Sequence, residues 1–243
     1  MLRASARRRS RPKCECAGNH LGAARVYPLA LNDRGVIRAL VLFVTGVSAS
    51  VAALAAPLSV RVVDSSGKPV RDAVVTFYPQ GDAARPARAS GRYVVAQRNL
   101  QFQPYVSIVP VGADVSFPNF DPTKHHVYSF SPAKRFELKL FAKDQSRTVR
   151  FDKAGVVALG CNIHDGMSAF IIVTDSAWTA RTDGQGVVVF NDAPQVLGRL
   201  TVWQANLRAP GGLVQQIIGS SQRALRVAVR LRPAAAPMIM SDY

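Results

Sequence analysis

Cys161, His164 and Met167 fall in the run Gly160-Cys161-Asn162-Ile163-His164-Asp165-Gly166-Met167, which sets a thiolate, an imidazole and a thioether at C-x2-H-x2-M spacing. Apolar, strand-like runs flank the stretch on both sides, so all three side chains belong to one short connection. His125 stands upstream as a fourth candidate donor. A soft thiolate and thioether with borderline imidazoles suit copper passing between its two oxidation states. Structural zinc closes its tetrahedron with four Cys or His ligands and leaves no role for a methionine. Taken one at a time, each residue has a plainer explanation: a cysteine on an apolar strand packs in a core, a histidine decorates a turn, a methionine fills a gap. The inference therefore rests on the combination.

The elements that must position these side chains read as strands throughout. Leu58-Ser59-Val60-Arg61-Val62-Val63-Asp64 alternates, Ser65-Ser66-Gly67-Lys68-Pro69 turns, and Val74-Val75-Thr76-Phe77-Tyr78 alternates again, which predicts a β-hairpin. Residues 79–91 are rich in Gly, Pro, Ala and Arg and read as a linker. A second series follows, with strands expected at 93–96, around Phe102, and at 106–109, 115–117, 127–130, 136–141, 149–151, 156–159 and 169–174. Short strands with turns every eight to twelve residues, and no competing helical period, imply a sandwich or barrel. After Asp175 the turn Thr182-Asp183-Gly184-Gln185-Gly186 precedes strands expected at 187–190, 200–203 and 225–231. From Pro233 the chain is Ala- and Pro-rich and is expected to be disordered.

The 243 residues, 48% of them hydrophobic, suffice for one or two cores. A formal charge of +16 suggests nucleic acid, but nine of the 31 basic residues lie in residues 1–55, with only two of the 15 acids, leaving net +9 beyond. That remainder is scattered along strand-like segments without aromatic-interleaved basic clusters, so it reads as a solvated face, and nucleic acid is not an expected partner.

Arg34 and Arg38 precede an apolar run from Ala39 to Leu54, and Ala53-Leu54-Ala55 offers small residues where a signal peptidase reads. Residues 34–56 are thus expected to be a signal peptide; the alternative is an uncleaved membrane anchor, against which Thr45, Gly46, Ser48 and Ser50 interrupt the run. Residues 1–33 carry Cys14, Cys16 and His20 but fit no standard metal spacing, and are expected to be a non-native or disordered extension ahead of the true start. Once the leader is removed, Cys161 is the only cysteine, so no disulfide can form; a single thiol in an oxidising compartment is buried or held by a metal.

Two resemblances join these readings. Residues 92–175 resemble the cupredoxins, the plastocyanin- and amicyanin-like blue copper fold, and in particular exported plastocyanin-like proteins known as methylamine utilisation proteins. The resemblance rests on Phe102-Gln103-Pro104, Val111-Gly112-Ala113-Asp114-Val115-Ser116-Phe117, Asn119, His125-His126-Val127 and Cys161-x2-His164-x2-Met167. The segment Val60-x-Val62-x-Asp64-x-x-Gly67-x-Pro69-Val70-x-x-Ala73-Val74-Val75, and later Thr182-Asp183-x-x-Gly186 with Val202-Trp203, resembles the two halves of a carboxypeptidase-regulatory-like, prealbumin-like sandwich. The fold class implied is all-β: a cupredoxin-like Greek-key β-sandwich at 92–175, flanked by residues 57–80 plus 179–232. Those flanks are either one small β-sandwich carrying the middle as an insertion or two unrelated extensions, with 233–243 as a tail.

The resemblance implies one type 1 copper held by His125, Cys161, His164 and an axial Met167. It makes His125 the upstream ligand, and strand alternation turns the neighbouring His126 away from the ligand side. It implies that Asn119 braces the cysteine loop by hydrogen bonds and that Asp165, beside His164, stabilises positive charge. With four protein donors no position stays open for a substrate, which points away from an enzyme. The implied role is that of a periplasmic carrier of single electrons between redox partners, a cytochrome or a dehydrogenase, with no membrane contact once the leader is cleaved. The alternative is a copper carrier, or a structural β-sandwich binding module without an electron-transfer role.

Overall fold

The structure is a computed structural model and describes residues 56–233. The expectations for the N-terminal extension and leader, and for the tail after Pro233, lie outside the described residues. Among the described residues the regular structure is β, with two single-turn 3-10 segments and no helix long and apolar enough to cross a membrane. In chain order come β1 (Leu58–Asp64) and β2 (Val74–Pro79). Next are β3 (Tyr93–Val94), β4 (Ala96–Arg98), β5 (Gln101–Gln103), β6 (Val106–Pro110), β7 (Ala113–Pro118), β8 (His125–Ser131), β9 (Lys134–Phe141), β10 (Ser146–Phe151), β11 (Gly155–Cys161) and β12 (Ser168–Thr174). The chain finishes with β13 (Trp178–Arg181), β14 (Val187–Phe190), β15 (Gly198–Trp203), β16 (Val214–Ile218) and β17 (Ala224–Val229).

The first and last strands meet. β1 lies between β14, antiparallel, and β17, parallel, with Ser59 opposite Ala224 and Asp64 opposite Val229. A four-stranded sheet, β13-β2-β15-β16, faces this three-stranded one. Between them lies a core that includes Leu58, Val60, Val62, Val75, Phe77, Trp178, Leu200, Val202, Val227 and Val229. Segments from both flanks of the chain thus share one core.

The hairpin expected from β1 and β2 is not formed: the two strands sit in opposite sheets. The turn itself is there, since the Asp64 carboxylate accepts from the amides of Ser66 and Lys68 (2.8 and 2.9 Å) and Val70 N–H returns to the Val62 carbonyl (3.0 Å). The chain then bends at Asp72, whose φ of 60° is left-handed, and crosses the core. Burial drives the crossing. Val75 and Phe77 fill the core just described, while Val74, on the opposite face of the same strand, packs on Val106, Ile172 and Trp203. A strand covered on both faces belongs inside a layered stack rather than on a solvated hairpin.

The middle segment forms a second pair of sheets, β6-β12-β11-β8-β9 and β10-β7-β3, with β4 and β5 pairing as a short ribbon. Every strand expected from alternation between 93 and 174 has a counterpart. Their inward residues, among them Val109, Val115, Phe117, Val127, Phe141, Phe151, Val157, Leu159 and Ile171, build a separate core that also contains Cys161 and Met167. The strands that carry the donor side chains, β8 and β11, are neighbours in the centre of the larger sheet, with Cys161 opposite Val127.

Candidate metal centre

His125 is the first residue of β8 and is fully buried. Alternation puts His125, Val127 and Ser129 on the inner face and His126, Tyr128 and Phe130 on the outer one. At the start of β8 the register with β9 slips: His125 opposes Phe141 but Val127 opposes Leu138, so an extra β9 residue is accommodated beside the histidine. Asn119 fixes the approach. Its side-chain amide donates to the carbonyls of Thr123 (2.8 Å) and Phe141 (3.1 Å), and its oxygen accepts from Asp121 N–H (2.9 Å).

Cys161 ends β11 and is buried, and the connection to β12 is closed by its own backbone. Met167 N–H donates to the His164 carbonyl (3.0 Å), Cys161 N–H to the Met167 carbonyl (3.2 Å), and Asn162 N–H to the His126 carbonyl (3.3 Å). These bonds fold the loop back over β8 and bring its side chains to His125. Cys161 Sγ lies 3.8 Å from His125 Nδ1 and 3.6 Å from His164 Nδ1. The ligating atoms of His125, Cys161 and His164 all lie within 4.8 Å of one another. Donors sharing one ion at ~2.0 Å (nitrogen) and ~2.3 Å (sulfur), about 120° apart, would be roughly 3.7 Å from each other. The two sulfur–nitrogen distances bracket that value, so the residues fit a single small metal ion.

The other nitrogen of His125 decides which face it offers. Nε2 lies 2.8 Å from Asp121 Oδ2, and Asp121, itself buried, also accepts from the amides of Asn99 (2.6 Å) and Leu100 (3.1 Å). Burial acts to raise the Asp121 pKa, but the bonds from His125, Leu100 and Asn99 outweigh it and hold the carboxyl below the ordinary aspartate value. An ionised Asp121 requires Nε2 to be the donor, which leaves the Nδ1 lone pair directed at Cys161. His164 is partly exposed, and its pKa is lowered by burial first and by the neighbouring His125 second, against a smaller opposing pull from Asp121. His164 thus favours the neutral form that can donate a lone pair to a metal.

Three of the four donors named from the sequence therefore converge in the structure. Met167 lies beside them in the chain, buried in the same cluster as Cys161 and bonded to it through the backbone. His126 points outward, with Nε2 2.8 Å from Glu137 Oε1. Asn119 braces the His125 side, and its side-chain bonds go to Asp121, Thr123 and Phe141 rather than to the cysteine loop. Asp165 is exposed, and the carboxylate that acts on His164 is Asp121. Asp121 itself was not singled out from the sequence: an aspartate followed by Pro122 reads as a turn residue. The available signal was its spacing, four residues before the candidate histidine.

No family model matches the chain, and no curated protein is similar to it. Among solved structures it is similar to a reduced-state point mutant of amicyanin, with 22% identity over 40% of this chain and 98% of that one, at a TM-score of 0.32. It is also similar to a novel purple cupredoxin from Nitrosopumilus maritimus, with 19% identity over 35% of this chain and 100% of that one, at a TM-score of 0.31. A third is an oxidised-state amicyanin mutant, with 24% identity over 41% of this chain and 97% of that one, at a TM-score of 0.32.

Proposed function

We propose that the chain is an exported, periplasmic type 1 copper protein that carries single electrons between redox proteins. It would hold one copper through His125, Cys161 and His164, with Met167 as the axial donor. The observation that carries this reading is the convergence of one thiol and one nitrogen from each of two imidazoles within 4.8 Å, two of the three residues being buried. Copper, when bound there, supplies a one-electron couple, and the softness of the donor set suits both of its oxidation states. The protein's part is to keep the donors still. His125 is fixed by Asp121, Cys161 by two strands, and the loop by three backbone bonds.

Deep burial of His125 and Cys161 favours a resident metal over a carrier, which needs donors that a second protein can reach. An oxidase would need a further copper site, and the sequence has only four histidines, of which His20 lies in the N-terminal extension and His126 is turned outward to Glu137. The test is colour. Copper(II) added to the purified protein is expected to give one equivalent of an intensely blue complex that bleaches on reduction. A colourless or weakly absorbing complex would favour the carrier or structural reading.

A further inference from the structure

The outer face of the five-stranded sheet is divided. Its β6, β12 and β11 part, including Val106, Ile108, Phe170 and Ile172, packs against Val74, Trp203 and Leu213 of the flanking sandwich, with the Phe170 and Trp203 rings 5.1 Å apart. Its β8 and β9 part is left uncovered. There His126, Tyr128 and Phe130 follow one another along the outer side of β8, with ring centroids 6.0 and 5.1 Å apart, and Phe130 is 75% exposed. His126 and Tyr128 are half-buried, and the row ends in the exposed ring of Phe130, an apolar tip free to meet a partner.

The row leads to the candidate metal centre. Tyr128 lies opposite Gly160, and a Cβ on Gly160 would fall 2.7 Å from the phenol Cζ and oxygen, so only glycine lets this ring rest on the main chain next to Cys161. Two grooves flank the ring: one of about 320 Å³ bordered by Phe130, Ser131 and Ala158, the other of about 250 Å³ reaching Cys161 and Asn162. The rim is basic. Arg135 lies opposite Phe130, Lys139 follows on the exposed side of β9, and Lys124 precedes β8; none of the three makes an ion pair among the described residues. Of the two acids at this surface, Glu137 is engaged by His126, and Asp165 lines the groove that reaches Cys161.

We infer that this strip is the docking surface for an acidic electron-transfer protein, an inference that rests on the copper reading for its purpose but not for its test. Exposed aromatics with arginine at a rim are the residue types that anchor protein contacts, and small, charge-guided interfaces are typical of transient redox encounters. Tyr128 would set such a partner one ring away from the strand that ends in Cys161.

The test is titration of the isotope-labelled full chain, metal-free and copper-loaded, with an acidic c-type cytochrome, followed by amide NMR and with a basic cytochrome c as control. The acidic cytochrome is expected to shift signals of residues 126–130 and 135–139. Phe130→Ser and the pair Arg135→Glu, Lys139→Glu should each weaken its binding about tenfold at low ionic strength, the second effect vanishing at high salt. Ile217→Ser, at another exposed apolar site on β16, should change nothing. Shifts confined to the loop around Ile163, no shifts at all, or equal binding of both cytochromes would overturn the inference. So would self-association that Phe130→Ser abolishes, because a second copy would then be the occupant. A protein that binds the cytochrome without ever turning blue upholds the surface and refutes the copper centre; a blue protein whose Phe130→Ser variant binds unchanged refutes the surface alone.

Discussion

The two histidines that face Cys161 are held in opposite ways. His125 is part of a strand, wholly buried, with its second nitrogen tied to a carboxylate that two backbone amides also hold. His164 sits on a connection between strands, partly exposed, and it is the loop's backbone that is bonded around it. One histidine is set when the sandwich folds, whereas the other is set by a six-residue loop, residues 162–167, closed by three hydrogen bonds. The lesson is that rigidity is shared unequally: the sheet supplies a fixed anchor, and the loop brings up the donor nearest to solvent.

The largest effect should come from removing the atom both rings share. Cys161→Ser is expected to abolish the blue band while leaving the β-sheet circular dichroism intact; a variant that stays blue would end the comparison, because the rings would then not be facing one thiolate-bound ion. Next in size is the carboxylate. Asp121→Ala strips partners from His125 Nε2 and from two amides, and at ~1–3 kcal/mol for each buried group left unpaired, partly offset by water, about 2–4 kcal/mol should be lost in denaturant unfolding of the metal-free protein. Asp121→Asn should recover part of that, since its amide oxygen still accepts; a loss below about 0.5 kcal/mol in the alanine variant would show the brace to be idle.

A third measurement separates the two sides directly. His164→Gly, loaded with copper and given external imidazole, is expected to regain a blue or green charge-transfer band, because the vacated position borders solvent. His125→Gly should not respond, its position being enclosed. Equal rescue of both would erase the distinction drawn between anchor and loop. The smallest effects should be on reduction potential. Asp121→Asn removes a buried negative charge that favours the more positive metal, so its potential should rise. Asp165→Ala, with an exposed carboxylate screened by solvent, should move it in the same direction by less, and a reversed order would place the controlling charge on the loop.

Much of this site could be read before any coordinates. The C-x2-H-x2-M spacing sits on a loop because apolar runs bound it, and strand alternation alone separates His125 from His126, as their burial and partners confirm. What escaped was set by contacts distant in sequence. Asp121 looks like half of an Asp-Pro turn until the fold brings Asn99 and Leu100 against it. Asn119 is satisfied by carbonyls of Thr123 and Phe141, a choice that depends on where β9 ends. The supposed hairpin of β1 and β2 failed because local alternation does not distinguish a strand with one buried face from one with two, and β2 has two. The nearness of Tyr128 to Gly160 needed the register of β8 against β11, which no local pattern supplies.

One feature of the connectivity reaches into how the molecule is made. The chain enters and leaves the middle sandwich side by side, Ala87 N–H donating to the Asp175 carbonyl (3.0 Å) and Ala177 N–H to that of Arg85 (2.9 Å). Both neighbours of β1, β14 and β17, follow that excursion in the chain. As the polypeptide emerges from a ribosome, β1 has no sheet partner until β14 follows the middle segment, whereas β3 to β12 already hold everything their own sheets require. The half that carries the candidate metal centre can therefore fold while the flanking sandwich is still an open clasp, and β17, the last of the described strands, closes it around that half.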